Sequence, residues 1–168
     1  MLVQRGHSIM KADLNCVVNG KARSVTVPVN RTLAEFLRDD LNLHGCRIAC
    51  DGAVCGACTV LLDGKPAASC STFAFEAEGA QIETIESLSG GSAKLHPIQQ
   101  AFLDQNAFQC GFCTAGLIMS VKALLAAHPS PDDKTIAEWL RSNVCRCTGY
   151  KTILEATRLA AARLREQA

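Results

Sequence analysis

Eight of the chain's ten cysteines fall into two four-thiolate sets with unlike spacing. The first is Cys50-x4-Cys55-x2-Cys58, with Cys70 after eleven further residues; the second is Cys110-x2-Cys113, with Cys145-x-Cys147 much later. Four soft thiolates around a compact loop suit an iron–sulfur cluster, and the x4/x2 run with a distal fourth cysteine is an established [2Fe–2S] spacing. Such a centre carries electrons. On spacing alone, two structural zinc sites remain the alternative, and zinc is redox-inert. Disulfides need an oxidising compartment, and Cys145-x-Cys147 is too short for an easy bridge.

The residues between the thiolates fit a cluster. Gly52 and Gly56 stand where positive φ and close backbone approach are needed, and Ala53, Val54 and Ala57 limit bulk and water. Amides aimed at the sulfurs favour the extra negative charge of a reduced cluster. In the second set, Cys110 and Cys113 precede one predicted helix and Cys145 and Cys147 another, with Gly111 and Gly149 supplying backbone freedom. Helix N-termini favour thiolates through unpaired N–H groups and the local dipole. Cys16, at an inward strand position, reads as a buried inert thiol. Cys46 lies within reach of the first set as a substitute ligand. His7, His44 and His96 read as surface or capping residues, and Asp39-Asp40 as a solvated helix end. No catalytic triad, paired carboxylates, dinucleotide fingerprint or P-loop is legible.

The elements that position these residues change character midway. Leu14, Cys16 and Val18 alternate, Asn19-Gly20 turns, and Val25, Val27 and Val29 alternate again, which predicts a hairpin. Thr32-x-x-Glu35 is a capping box for a helix with Leu33, Phe36, Leu37 and Leu41 on one face. Asp63-Gly64 separates predicted strands at Thr59–Leu62 and 67–71, and 81–85 is the predicted last strand. The pattern describes a β-grasp ferredoxin module over residues 1–88.

Residues 87–92 contain Gly90-Gly91 and read as a linker. Residues 89–168 then take a helical period, predicting a four-helix bundle. Pro97 suits a first turn, Thr114 is a candidate cap, Asp132 or Asp133 opens a third helix, and Thr152-x-x-Glu155 is a second capping box. The fold class is therefore α+β: a β-grasp domain followed by a four-helix-bundle domain, each with one cysteine set.

Composition narrows the function by exclusion. The 168 residues are 48% hydrophobic and 20% charged with net charge +1. Residues 1–88 carry 8 basic and 10 acidic side chains, and residues 89–168 carry 9 and 6. Nothing in this balance suggests a nucleic-acid or membrane surface, and Arg158, Arg163 and Arg165 read as the solvated face of a last helix. No segment approaches a membrane span. The first eight residues lack a signal core and read as a disordered or partner-binding arm, so a cytoplasmic location is expected.

Three segments carry a resemblance. Cys50-Asp-Gly-Ala-Val-Cys55-Gly-Ala-Cys58-Thr-Val, Gln109-Cys110-Gly-Phe-Cys113-Thr and Asn143-Val-Cys145-Arg-Cys147-Thr-Gly-Tyr150 closely resemble the small iron–sulfur subunit of the xanthine oxidase family of molybdenum hydroxylases. The resemblance spans nearly the whole chain and favours iron over zinc. It implies that Cys50, Cys55, Cys58 and Cys70 hold a flavin-side [2Fe–2S] cluster. Cys110, Cys113, Cys145 and Cys147 would hold a molybdenum-side one, with Gln109 and Cys147 approaching molybdopterin. Electrons would run from molybdenum through the second set, then the first, to FAD. Molybdopterin and FAD would lie on large and medium partner subunits, in a dimer of heterotrimers. The chain itself would have no catalytic residue.

An N-heteroaromatic substrate such as a quinoline is the favoured expectation, from overall likeness. Carbon monoxide, aldehydes and aromatic acyl-CoA thioesters are the family alternatives, and a free-standing two-cluster ferredoxin is the alternative from another class. Three departures stand out: Ala115 replaces a usual Pro, Ala49 a usual Gly, and Cys46 a usual Thr.

Overall fold

The computed structural model describes residues 10–90 and 94–167. The expected N-terminal arm and the end of the expected linker lie outside these residues. Strands β1 (Lys11–Val18) and β2 (Lys21–Pro28) form an antiparallel hairpin about Asn19-Gly20, both at positive φ. β3 (Thr59–Leu62) and β4 (Lys65–Ala68) form a second hairpin about Asp63-Gly64, and β5 is Gln81–Glu83. The sheet order is β2-β1-β5-β3-β4, with β5 parallel to β1 and antiparallel to β3.

Helix α1 (Leu33–Glu35) starts at the predicted capping box: Thr32 Oγ1 accepts from Glu35 N, and the Glu35 carboxylate accepts from Thr32 N. It widens at once into a π-helical turn, Phe36–Asp40, closed by Leu41 N donating to Phe36 O at 3.2 Å. Leu33, Phe36 and Leu37 are fully buried against Leu14, Val18, Val27, Val60 and Ile82 of the sheet. One helix gripped by a mixed sheet is the β-grasp arrangement.

The second hairpin differs from expectation. Its outgoing strand occupies Lys65–Ala68 rather than 67–71, because the two-residue turn pairs Lys65 directly with Leu62. The chain therefore leaves the sheet at Ser69, which frees Cys70 to turn back towards Cys58. The last strand also stops early, and Ile85–Ser87 form a 3₁₀ turn.

Four helices follow: α2 (Pro97–Asp104), α3 (Thr114–Ala127), α4 (Asp133–Leu140) and α5 (Lys151–Glu166). Ile98, Phe102, Leu117, Val121, Leu124, Ile136, Leu140 and Ile153 fill the bundle core. The small Ala156 and Ala160 let α5 approach it closely. Leu154, Leu159 and Leu164 sit at the margin of that core. Asp132 caps α4 by accepting from Thr135 N at 2.8 Å, and His96 Nδ1 caps α2 by accepting from Ile98 N. The expected solvated arginines are ion-paired across helices, Arg158 with Asp133 and Arg163 with Asp104.

Two predicted caps are corrected. The residue before α3 is Cys113, and Thr114 lies inside the helix with its hydroxyl buried and unbonded among the described residues. The residue before α5 is Tyr150, held left-handed at φ 67°, so Thr152 is likewise interior and its hydroxyl unbonded. The loops before these helices serve the cysteines, and the cap positions are used up by them.

The two domains share a packed seam. Leu61 of β3 meets Met119 and Ala123 of α3, with Ile85, Leu88 and Trp139 alongside. Lys122 of α3 pairs with Glu83 of β5. Backbone meets backbone where α3 crosses the first cysteine loop: a Cβ on Gly116 would lie 2.1 Å from Gly56 O.

Candidate metal centres

The first cysteine loop runs from the π-turn to β3. Cys50 is exposed, Cys55 half-buried, and Cys58 and Cys70 buried. The amides of Val54 and Cys55 donate to Cys50 Sγ at 3.4 and 3.3 Å. The amides of Cys55, Val54 and Gly52 draw its thiol down to about 6. The thiolate is the form that binds a metal. Positive φ falls on Asp51 (50°), Ala53 (56°) and Gly56 (66°), so the expectation for Gly56 holds and that for Gly52 is corrected. A Cβ at Gly56 would lie 2.4 Å from Asn143 Nδ2, so close approach requires glycine there as well.

The hydrogen-bonding side chains around Cys58 are fixed by Ser69. Its hydroxyl donates to Cys58 O at 2.7 Å and lies 3.0 Å from Cys46 Sγ. Cys46 is thus buried and occupied with Ser69 and the Cys58 carbonyl, and burial pushes its pKa up. Cys16 is buried in the sheet, and burial raises it too.

The second set is assembled from two separate junctions. Cys110 and Cys113 flank Gly111-Phe112 at the start of α3, and Cys145 and Cys147 lie before α5. The aromatic ring of Tyr150 ties the second junction down: its hydroxyl accepts from Cys145 N at 2.8 Å and donates to Asn143 O at 2.9 Å. Thr148 Oγ1 lies 3.2 Å from Cys145 Sγ. Gln109 Nε2 donates to Cys147 O at 3.2 Å, linking the two junctions at an exposed edge.

Within both sets the thiols meet two by two. Cys50 faces Cys55, and Cys58 faces Cys70. Cys113 faces Cys145, and Cys110 Sγ lies 3.6 Å from Cys147 Sγ. Burial is the main cause raising the Cys58 thiol to about 11 and the Cys113 thiol to about 12. Among the described residues no three His, Cys, Asp or Glu side chains gather about a single ion position.

The two loops are also bonded to each other. Val144 N donates to Cys55 O at 2.8 Å, and Asn143 Nδ2 donates to Gly56 O at 2.9 Å. Asn143 is fully buried, and its Oδ1 accepts from Ser120 Oγ at 2.6 Å. Arg47 reaches from the first loop to Gly111 O at 2.9 Å. Sequence reasoning missed Arg47, Ser69 and Ser120 altogether, and treated Asn143 and Tyr150 only as parts of a motif. The available signal was a charged residue inside a cysteine loop and a polar residue adjoining a ligand.

The β-grasp sheet, the helical bundle and the paired thiols define a two-domain iron–sulfur protein. Residues 16–89 match the model of the 2Fe-2S iron-sulfur cluster binding domain, and residues 84–158 match that of the [2Fe-2S] binding domain. The chain is 48% identical to the nicotine 6-hydroxylase small subunit of Paenarthrobacter nicotinovorans over 87% of both chains. It is 40% identical to the nicotinate dehydrogenase small FeS subunit of Eubacterium barkeri, covering 91% of this chain and 97% of that one. Among solved structures it superposes on a chain of quinoline 2-oxidoreductase from Pseudomonas putida 86 with TM-score 0.88. That likeness is 41% in identity and covers 93% of this chain and 97% of the other. The chain belongs to the small iron–sulfur subunits of the xanthine oxidase family of molybdenum hydroxylases. Its work is electron transfer as the iron–sulfur subunit of a molybdenum-dependent oxidoreductase.

Proposed function

We propose that Cys50, Cys55, Cys58 and Cys70 hold the flavin-side [2Fe–2S] cluster and Cys110, Cys113, Cys145 and Cys147 the molybdenum-side one. The carrying observation is the convergence of four thiols in each set: Cys110 Sγ lies 3.6 Å from Cys147 Sγ, and the Cys55 amide closes the first loop onto Cys50 Sγ. The donor chemistry fits: soft thiolates, amide donors on Cys50 Sγ, and small residues where backbone must come close. When bound, the clusters accept and release electrons one at a time. The chain's residues orient the two sets. Asn143 and Val144 lock the second set against Cys55-Gly56, so the separation between the clusters is set by one backbone bond and one buried side-chain bond, Val144 N to Cys55 O and Asn143 Nδ2 to Gly56 O.

The electrons come from a molybdopterin centre on a large subunit and leave to FAD on a medium subunit. Gln109 and Cys147 are the contacts towards molybdopterin that the family resemblance implies; the hydrogen bond between them lies at an exposed edge of the second set, where a partner subunit can reach it. The functional boundary falls between residues 88 and 89. The assembly is a dimer of heterotrimers in the cytoplasm; no described helix is long and apolar enough to cross a membrane. Relatives named for nicotine, caffeine and nicotinate support an N-heteroaromatic substrate.

The test is purification from the native host followed by metal analysis and EPR of the dithionite-reduced sample. The expected sample contains two larger subunits, molybdenum, FAD and four irons per small subunit, with two distinct reduced-state signals. A monomer with iron and sulfide alone would favour a free-standing carrier. Zinc in place of iron would overturn the iron–sulfur assignment, since zinc is redox-inert.

A further inference from the structure

We propose that Arg47 is a positioning residue: it carries a fixed positive charge from the β-grasp domain onto the cysteine turn of the helical domain and raises the reduction potential of the molybdenum-side cluster. This rests on Cys110, Cys113, Cys145 and Cys147 being that cluster's ligands.

Arg47 belongs to the first domain by its backbone. It precedes Cys50 by three residues, and its N–H donates to Ala57 O at 3.4 Å, inside the first cysteine loop. Its side chain belongs to the second domain. Nη1 donates to Gly111 O at 2.9 Å, and the guanidinium carbon lies 5.5 Å from the centroid of the Phe112 ring. Gly111 and Phe112 are the two residues between Cys110 and Cys113. The guanidinium is therefore held on the ligand turn by two independent contacts, one hydrogen bond and one cation–π contact.

The charge is not cancelled locally. Among the described residues the ion pairs involve other cations, namely Arg31, Lys122, Arg158 and Arg163. An arginine stays protonated at any working pH. Arg47 is half-buried, so solvent and salt screen it less than a surface charge. Reduction adds one negative charge to a cluster, and a nearby cation favours that form. The bond to Gly111 O has a second effect: it holds that carbonyl on the arginine, while the Phe112 amide serves Cys110. The charge thus crosses the seam between the domains, which makes the potential of the helical-domain cluster depend on how the two domains dock.

The experiment is a mediated redox titration of the intact enzyme complex, followed by EPR, in three forms: wild type, Arg47→Gln and Arg47→Lys. Gln keeps a donor for Gly111 O without the charge; Lys keeps the charge. The molybdenum-side signal is the one that Cys113→Ser abolishes. In Arg47→Gln we expect its reduced-to-oxidised ratio at fixed potential to fall about tenfold, which is ~59 mV for a one-electron couple. Arg47→Lys should stay within about threefold of wild type by the same retained-charge reasoning, and the other signal should move less in both variants. An unchanged ratio in Arg47→Gln, or equal falls in Gln and Lys, would overturn the role of the charge. A wild-type complex lacking two [2Fe–2S] signals would instead overturn the ligand assignment on which the inference rests.

Discussion

The two cysteine sets reach the same pairing of thiols by opposite routes. The first is a nearly continuous loop shaped by its own backbone: Asp51, Ala53 and Gly56 take positive φ, and two amides turn onto Cys50. Only Cys70 comes from elsewhere, delivered by the end of β4. The second set has almost no loop of its own. Its halves lie at two helix starts, and the bundle core brings them together. A local set tolerates loss of distant packing, whereas an assembled set depends on every helix that aims it.

That contrast is broken most directly by removing one ligand from each side. Cys113→Ser should abolish the molybdenum-side EPR signal and stop electron flow to FAD, yet leave the other signal in place. Cys58→Ser should do the reverse. Persistence of both signals in either variant would remove the proposed partition of ligands.

The next effect concerns the seam. Gly116→Ala gains roughly 1 kcal/mol of helix propensity. It also drives a methyl to 2.1 Å from Gly56 O. Overpacking costs about 1–3 kcal/mol or more, and here the obstacle is backbone, so the clash wins. Thermal unfolding of the loaded chain should show a net loss of up to about 2 kcal/mol on that balance, whereas an increase in stability would show that the domains do not dock this way. Asn143→Ala should cost about 1–3 kcal/mol, because the buried Ser120 hydroxyl loses its acceptor. Its spectroscopic trace should be a changed magnetic interaction between the two reduced clusters, with both signals retained.

Smaller effects sharpen the comparison from the local side. Thr32→Ala removes the N-cap of α1 and should cost about 1 kcal/mol in a denaturant titration while both clusters remain. Cys16→Ala and Cys46→Ala should also retain both EPR signals. Loss of the first-set signal in Cys46→Ala would make that thiol a ligand, despite its engagement with Ser69.

The same contrast explains what was legible. Local patterns were accurate where nearby residues settle the structure: the hairpin at Asn19-Gly20, the Thr32 capping box, a helix opening at Asp132 or Asp133 (Asp132 is the cap), and the apolar face of α2. Thr114 and Thr152 misled because a capping pattern carries no information about a cysteine turn competing for the same place. At α5 the turn wins: Tyr150 adopts φ 67° so that its hydroxyl can bridge Asn143 and Cys145. Thr152 then falls inside the helix rather than at its cap. The position of β4 was misjudged because the two-residue turn at Asp63-Gly64 pairs Lys65 directly with Leu62, so the strand starts earlier and ends at Ala68.

The amino-acid sequence by itself determined the chemistry: eight thiolates in two spacings, the switch from a period of two to a helical period, and the small residues where backbone must pass. Ligand type and local periodicity are properties of neighbouring residues, so they survive in one dimension. Only the tertiary structure decided which thiol meets which, that Cys46 is turned onto Ser69, and that Arg47 of one domain lies on the ligand turn of the other. Those outcomes depend on contacts between residues 23, 64 and 87 positions apart, as in Cys46–Ser69, Arg47–Gly111 and Gly56–Asn143. No local preference encodes such distances; they follow from how two packed cores settle against each other.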